Sequence, residues 1–209
     1  MTIQLNHLSI HKDNYRIFDD VNLTFEYGKS YALIGTSGCG KSTLLNIIAG
    51  IEKVGKEQIL FNGQIQKFNA KFYREQLGYL FQNYGLVENL SIDENLDIGL
   101  AYKKLSKKEK EALKSKYLSQ FGLTENKKRK VHTLSGGEQQ RVALIRLMLK
   151  EPAIILADEP TGALDPETGK LIIQLLFNLV DKNNILIMAT HDMNIASQCD
   201  EVIDLTKLA

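Results

Sequence analysis

The sequence predicts an α/β fold with a parallel-sheet core, an antiparallel β part at its N-terminal end and an inserted helical segment. Three observations support this. Short apolar runs alternate with helical stretches of about 10–15 residues, as in strands joined by crossover helices. The first 26 residues instead alternate apolar and polar positions, as half-exposed strands do. Residues 91–121 are lysine-rich and helical, and they interrupt the strand and helix alternation.

The individual elements follow from the same patterns. Strands are predicted at residues 3–5, 8–10, 21–25, 30–34, 59–61, 77–81, 153–157, 185–190 and 202–205, and helices at 41–50, 91–121, 137–150 and 166–180. The pair Asn62-Gly63 is typical of a tight turn after a strand. We therefore expect a single domain over residues 1–209, with a core at 1–85 and 135–209 and a helical subdomain at about 86–134.

Composition and charge exclude several classes of protein. The chain has 209 residues, of which 44% are apolar and 24% charged, so it is neither disordered nor collagen-like. Its two cysteines, Cys39 and Cys199, are too few for a disulfide scaffold and too isolated for a zinc site. The N-terminus lacks a secretory pattern, and the most apolar stretches fall short of the roughly 18–20 residues of a membrane-spanning helix. We expect a cytoplasmic protein, with any membrane part on another chain.

A glycine-rich loop predicts a phosphate site. The run G-T-S-G-C-G-K-S at residues 35–42 fits G-x-x-x-x-G-K-[ST] and lies between a predicted strand and a predicted helix. Glycines let the backbone aim N–H groups at phosphate oxygens, and the positive end of the helix adds attraction. Lys41 would reach the β- and γ-phosphates, and Ser42 would offer its hydroxyl to Mg²⁺. The predicted nucleotide-binding residues are Gly35, Thr36, Ser37, Gly38, Cys39, Gly40, Lys41, Ser42 and Thr43.

Cys39 lies inside this loop, where the structural requirement is only a small side chain. A redox role for its thiol is a weaker alternative. In either case a bulky thiol reagent at Cys39 should block the nucleotide, and ATP should protect the thiol.

Two adjacent acids end a buried strand in the second half of the chain. Asp158 is predicted to accept hydrogen bonds from the coordination shell of Mg²⁺, and Glu159 is predicted to polarise the attacking water. Because neighbouring side chains on a strand point in opposite directions, we expect the two carboxylates to have different tasks. The sequence Pro160-Thr161-Gly162 turns the chain at once, which puts both acids at the carboxyl edge of the sheet, where ligands bind in open α/β folds. The alternative is that these acids only end the strand.

A third motif carries a family resemblance. The run L-S-G-G-E-Q-Q-R at residues 134–141 resembles the signature sequence of the ATP-binding cassette (ABC) family. With the glycine loop and the acid pair, the resemblance covers nearly the whole chain. It implies a P-loop NTPase (RecA-like) core that binds ATP and Mg²⁺ and hydrolyses ATP. It also implies a head-to-tail dimer in which Ser135, Gly136 and Gly137 of one copy close over the γ-phosphate held by the other.

The same resemblance implies further site residues. Gln82, after the strand at 77–81, resembles the glutamine that contacts Mg²⁺ or water and joins the core to the helical insertion. Asp165 resembles the aspartate that crosses the dimer interface, and His191 the histidine that contacts the γ-phosphate. The family stacks adenine on an aromatic residue between the first two strands. This sequence departs from that pattern, and Tyr15 is our candidate for the stacking residue.

The helical insertion is strongly basic. Residues 101–132 contain 11 Lys or Arg and three Glu, a local charge of +8, whereas the whole chain carries +1. A solvated helix face is one interpretation, and proximity to an anionic membrane leaflet is another. Nucleic acid is not expected as a partner, because the insertion lacks interleaved aromatic residues. The resemblance implies a groove beside Gln82 that receives a permease helix, and the apolar side chains between residues 81 and 90 could line it: Phe81, Tyr84, Leu86, Val87 and Leu90.

Three function classes remain open at this point. The favoured class is the ATPase subunit of an ABC transporter, on the inner face of the membrane through a separate permease. The resemblance is to the subgroup that exports macrolides, lipoproteins, bacteriocins or antimicrobial peptides. An ABC ATPase that transmits force to a membrane partner without transport is the second class. A soluble ABC protein is the third, and it is disfavoured because such proteins carry a long coiled coil or two fused cassettes.

Overall fold

The computed structural model describes residues 2–12, 15–55, 57–124, 127–162 and 164–208. The strands are β1 (Thr2–Lys12), β2 (Tyr15–Glu26), β3 (Ser30–Ile34), β4 (Ile59–Phe61), β5 (Gln64–Ile65), β6 (Leu77–Leu80), β7 (Ile154–Asp158), β8 (Ile185–Ala189) and β9 (Glu201–Asp204). The α-helices are α1 (Lys41–Ile48), α2 (Ile92–Leu100), α3 (Lys107–Gln120), α4 (Gly136–Lys150), α5 (Pro166–Asn178) and α6 (Met193–Ala196). A π-helical turn, Phe72–Gln76, precedes β6.

The core is a parallel sheet in the order β6-β7-β8-β3-β9. Every residue of β7 and β8 is buried, which explains why the sequence of these strands is almost continuously apolar. Their carboxyl ends lie at one edge of the sheet, so the segments that follow β3, β6, β7 and β8 meet there. The predicted α/β class is confirmed.

The N-terminal part is an antiparallel sheet in the order β2-β1-β4-β5. The two short strands predicted at residues 3–5 and 8–10 form one long strand, β1, with register shifts between Leu5 and Leu8 and beyond. At this irregularity His7 and Asp20 both adopt positive φ, and His7 Nδ1 lies 2.5 Å from Asp20 Oδ1. The strand continues through the bulges, so Ile3, Leu5 and Leu8 all remain buried in the core.

The helical insertion packs α2 and α3 against α4. Ser91 and Ser106 each begin a helix with a reciprocal capping box, using Glu94 and Glu109 respectively. The apolar face of the insertion includes Leu96, Leu118 and Val131, which pack with α4 in a second hydrophobic cluster. The single helix predicted at residues 91–121 is in fact two helices, α2 and α3, separated by residues 101–106.

Lys114 is an exception to the interpretation of this region as a solvated basic face. Its side chain is only 2% exposed, and its Nζ lies 2.9 Å from Asp93 Oδ1, 2.8 Å from Asp97 Oδ1 and 2.7 Å from Glu111 Oε1. Burial alone would lower the pKa of Lys114, but hydrogen bonds to Asp97, Glu111 and Asp93 outweigh it and raise the pKa. The lysine therefore ties α2 to α3.

Candidate nucleotide site

The glycine loop lies between β3 and α1, as predicted. Gly40 caps α1 in the left-handed region, with φ of 99°, and a Cβ there would lie 2.6 Å from Ile17 Cγ2 and 2.7 Å from Phe18 Cζ. Only glycine fits this position, because both the conformation and the space exclude a side chain. The first turn of α1 carries no acidic side chain, so the positive end of the helix faces the loop uncompensated.

Lys41 reaches back across the loop. Its Nζ donates to the carbonyl oxygens of Gly35 at 2.8 Å and Thr36 at 3.1 Å. A cation and the start of a helix therefore converge on the same small volume, which suits a polyphosphate.

The two acids are arranged differently from the expectation for neighbours on a strand. Asp158 is the last residue of β7 and is buried. Glu159 has left the strand: its φ is 48°, a region that non-glycine residues rarely adopt, and its N–H donates to Ala189 O at 3.0 Å. Because of this turn both carboxylates line one cleft, rather than pointing to opposite faces of the sheet.

That cleft, of about 230 Å³, brings together three of the predicted segments. Gln82 enters it from the end of β6 and the two acids from the end of β7. Its lining residues are Ser37, Gly38, Gly40, Lys41, Ser42, Thr43, Gln82, Asp158 and Glu159. The loop residues Gly35, Thr36 and Cys39 are not among the lining residues.

His191, two residues after the end of β8, contacts Glu159 of the cleft. Its Nδ1 lies 2.8 Å from Glu159 Oε2, and the His191 side chain is 75% exposed whereas that of Glu159 is 19% exposed. The imidazole therefore stands at the mouth of the cleft, touching the carboxylate.

The signature sequence begins α4. Ser135 is the N-cap: its Oγ accepts from Glu138 N–H, and its own N–H donates to Glu138 Oε2 at 2.8 Å. This bond from the Ser135 N–H is the main reason that the pKa of Glu138 is lowered. Ser135, Gly136 and Gly137 are not among the residues that line the phosphate cleft.

Asp165 lies in a separate, larger groove. It caps α5 by accepting from Thr168 N–H at 2.9 Å, and this bond lowers its pKa. The groove, of about 730 Å³, is also lined by Leu164 and by His191, so it adjoins the mouth of the cleft. Tyr15, the predicted stacking residue, begins β2, but its side chain lies outside the described part of the structure.

An apolar groove of about 230 Å³ adjoins, through Tyr79 and Phe81, the space that Gln82 lines. Phe81 lines it, as predicted, but Tyr84, Leu86, Val87 and Leu90 do not: Tyr84 and Leu86 pack against the helical cluster instead. The lining comes largely from segments that the sequence did not single out: Ile51, Tyr73, Tyr79, Ile98, Arg146 and Lys150.

Two basic side chains in this groove are unusual. Burial lowers the pKa of Lys150 to about 8, with a further contribution from Arg146, and Lys150 donates to Tyr73 O at 2.5 Å. Arg146 donates to Gly85 O at 2.8 Å, in the segment that follows Gln82.

Sequence reasoning missed Gln140, which is buried on α4 and donates from Nε2 to the carbonyl oxygen of Pro160, beside Glu159. A signal was present, because Gln140 shares a helix face with the buried Ala143, Leu144 and Leu147. A polar residue on an apolar face needs a partner inside the protein.

Comparison with known proteins agrees with this arrangement. The family model described as "ABC transporter" matches residues 18–162. A macrolide export ATP-binding/permease protein of a Shewanella species is 39% identical over 197 residues, which are 90% of this chain and 30% of that protein. An uncharacterised ABC transporter ATP-binding protein of Mycobacterium tuberculosis is 36% identical over 91% of this chain and 79% of its own length.

Among solved structures, the ATP-binding cassette MJ0796, in a dimeric post-hydrolysis state bound to ADP and phosphate, superposes with a TM-score of 0.84. The two chains are 30% identical, and the match covers 97% of this chain and 93% of that one. The chain spans only 29% to 30% of the length of the macrolide export proteins that it matches. The family model, the sequence similarity and the superposition together show that this chain belongs to the ABC transporter family, as an ATP-binding domain.

Proposed function

We propose that this chain binds Mg²⁺ and ATP in the phosphate cleft and hydrolyses the ATP to drive a membrane permease. The observation that carries this proposal is the convergence of Lys41, Gln82, Asp158 and Glu159 on one cleft at the start of α1. Phosphate binding needs the loop and Lys41, whereas hydrolysis needs a carboxylate beside the phosphate. Both requirements are met by side chains of a single chain.

Magnesium fits the oxygen donors of this cleft. Among the described residues, no group of three or more His, Cys, Asp and Glu could hold a metal ion. We assign Mg²⁺ to Ser42, Gln82 and Asp158 together with phosphate oxygens, because hydroxyl, amide and carboxylate oxygens are donors typical of this ion. When bound, Mg²⁺ would neutralise charge on the β- and γ-phosphates.

Glu159 is our candidate for the general base. Its partly buried carboxylate would accept a proton from the attacking water, and His191 would hold that carboxylate in place through its Nδ1. Tyr15 remains our candidate for stacking the adenine.

We further propose a head-to-tail dimer of two copies around two ATP molecules. The start of α4 offers backbone N–H groups to an anion, yet it lies outside the lining of its own chain's cleft. A phosphate held by a second copy would be the anion that these N–H groups bind. Ser135, Gly136 and Gly137 would contact it, and Asp165 would cross the interface. The dimeric state of the related cassette MJ0796 supports the proposal.

The permease would dock in the apolar groove beside Gln82. Tyr79 and Phe81 line this groove and also the adjoining space that reaches Gln82 and Asp158, so a partner seated there is physically connected to the nucleotide cleft. The similarity to macrolide export proteins supports an export function. We propose a peptide, bacteriocin or lipid-linked cargo, with the chain held at the inner face of the membrane by its permease. Among the described residues, no helix is long and apolar enough to span a bilayer.

Two variants of the purified protein test the proposal. Glu159→Gln keeps the shape of the side chain and should retain ATP binding while hydrolysis falls about 10²- to 10⁴-fold, as for a lost general base. With ATP it should elute as a dimer on a sizing column, whereas without ATP it should elute as a monomer. Lys41→Ala should lose nucleotide binding or hydrolysis.

Glu57→Gln makes the same chemical change at an exposed position and should hydrolyse ATP at the wild-type rate. Full activity of Lys41→Ala would overturn the site assignment. A Glu159→Gln protein that stays monomeric with ATP at high protein concentration would contradict the dimer for the isolated subunit.

A further inference from the structure

Gln140 is a buried polar side chain without an obvious structural purpose. It lies on α4, one helical turn after Gly136, and is 3% exposed. Its Oε1 is buried and has no hydrogen-bond partner among the described residues. A buried amide with a hydrogen bond at only one end is less favourable for folding than an apolar side chain of the same size. Stability of the fold therefore gives no reason for a glutamine here.

The other end of the amide makes one specific contact. Gln140 Nε2 donates to the carbonyl oxygen of Pro160, 20 residues further along the chain. Pro160 follows Glu159 directly, so this bond fixes the peptide unit one residue beyond the general-base candidate. It links the helix that begins with the signature sequence to the segment that leaves β7.

The backbone of Glu159 needs such support. Its φ of 48° is disfavoured for any residue other than glycine. From the β8 side the residue is held by its N–H, which donates to Ala189 O, and its carboxylate touches His191. Among the described residues, the bond from Gln140 is the corresponding support from the α4 side.

We infer that Gln140 is a positioning residue for Glu159. By fixing the Pro160 carbonyl to α4, Gln140 holds the Glu159 carboxylate in the position it needs for hydrolysis. This inference rests on the proposed function, since it assigns Gln140 to the same hydrolysis. A shift of about 1 Å in a reacting group can cost about 10²-fold in rate. Loss of the bond should therefore reduce turnover without removing any group that contacts ATP.

The test is a double-mutant cycle with Gln140→Leu, Glu159→Gln and the double variant, measured in single-turnover hydrolysis of radiolabelled ATP. Leucine keeps the approximate volume and removes the donor. We expect Gln140→Leu to hydrolyse ATP about 10- to 100-fold more slowly, with an ATP dissociation constant within about two-fold of the wild-type value. In the Glu159→Gln background the same change should have almost no further effect, because its target is already absent.

The inference would be overturned if the rate reductions of the two single variants multiplied in the double variant. It would also be overturned if Gln140→Leu hydrolysed ATP at the wild-type rate. Gln140→Met, which fills the same space with an unbranched chain, decides the question in the same way if the leucine variant does not fold. Gln120→Leu makes the same change at the exposed end of α3 and should have no effect. A wild-type chain that does not hydrolyse ATP would refute the proposed function instead, so the two failures are distinguishable.

Discussion

Replacing Lys114 with alanine should destabilise the helical insertion by about 3.5–4.5 kcal/mol. The side chain is only 2% exposed, and the change removes three methylenes of its stem at about 0.8 kcal/mol each, or about 2.4 kcal/mol. The carboxylates of Asp93, Asp97 and Glu111 are 30%, 56% and 43% exposed, so solvent screens the three ion pairs. We take their joint contribution as about 1–2 kcal/mol.

Urea unfolding followed by far-UV circular dichroism measures this loss, and hydrogen exchange of α2 and α3 shows whether it is local to the insertion. Lys114→Met keeps most of the stem and should lose only about 1–2 kcal/mol. Lys116→Ala, at an exposed position on the same helix, should stay within about 0.5 kcal/mol of the wild type. If Lys114→Ala is no more destabilising than Lys116→Ala, then the lysine does not tie α2 to α3.

Three further predictions concern pH and the glycine loop. Because folding raises the pKa of Lys114, the stabilisation is complete below the ordinary lysine pKa and is lost as pH rises through the folded value. In urea titrations the gap between wild type and Lys114→Met should stay constant from pH 7 to about 10 and then narrow; a gap that narrows near neutral pH contradicts this origin. A bulky maleimide on Cys39 should block ATP binding and ATP should slow its reaction, because a Cβ at Gly35 would already lie 2.6 Å from the sulfur; undiminished binding after full modification would refute this. Gly40→Ala should abolish ATP binding in a nucleotide-binding assay, since its Cβ would collide with Ile17 and Phe18; near-wild-type affinity would show that the loop can adjust.

Local patterns in the sequence were sufficient for the phosphate loop. The residues at 35–42 are contiguous, and the glycines, Lys41 and the start of α1 form their geometry within one short segment. The acid pair was also identified correctly as lying at the carboxyl edge of the sheet. A turn that directly follows a buried strand leaves the last residues of that strand at this edge. The reasoning about opposite faces failed, because it assumed that Glu159 continues the strand.

The groove beside Gln82 shows the limit of this approach. Of the five apolar side chains proposed to line it, only Phe81 does so, because the other walls come from Ile51 after α1, the π-helical turn, β6, α2 and α4. Periodicity predicts which side of a helix is buried, but not which other element covers it.

The sequence by itself determined the α/β class and the family and located the glycine loop and the acids after β7, because each depends on contiguous residues or on periodicity. Only the tertiary structure decided that Lys114 is an internal tie, that Glu159 turns into the same cleft as Asp158, and that Gln140 holds Pro160. The contacts of Lys114 with α2, of Gln140 with Pro160 and of His191 with Glu159 join residues 17 to 32 positions apart on separate elements. Their formation depends on where the chain folds back on itself, and local propensity does not encode that.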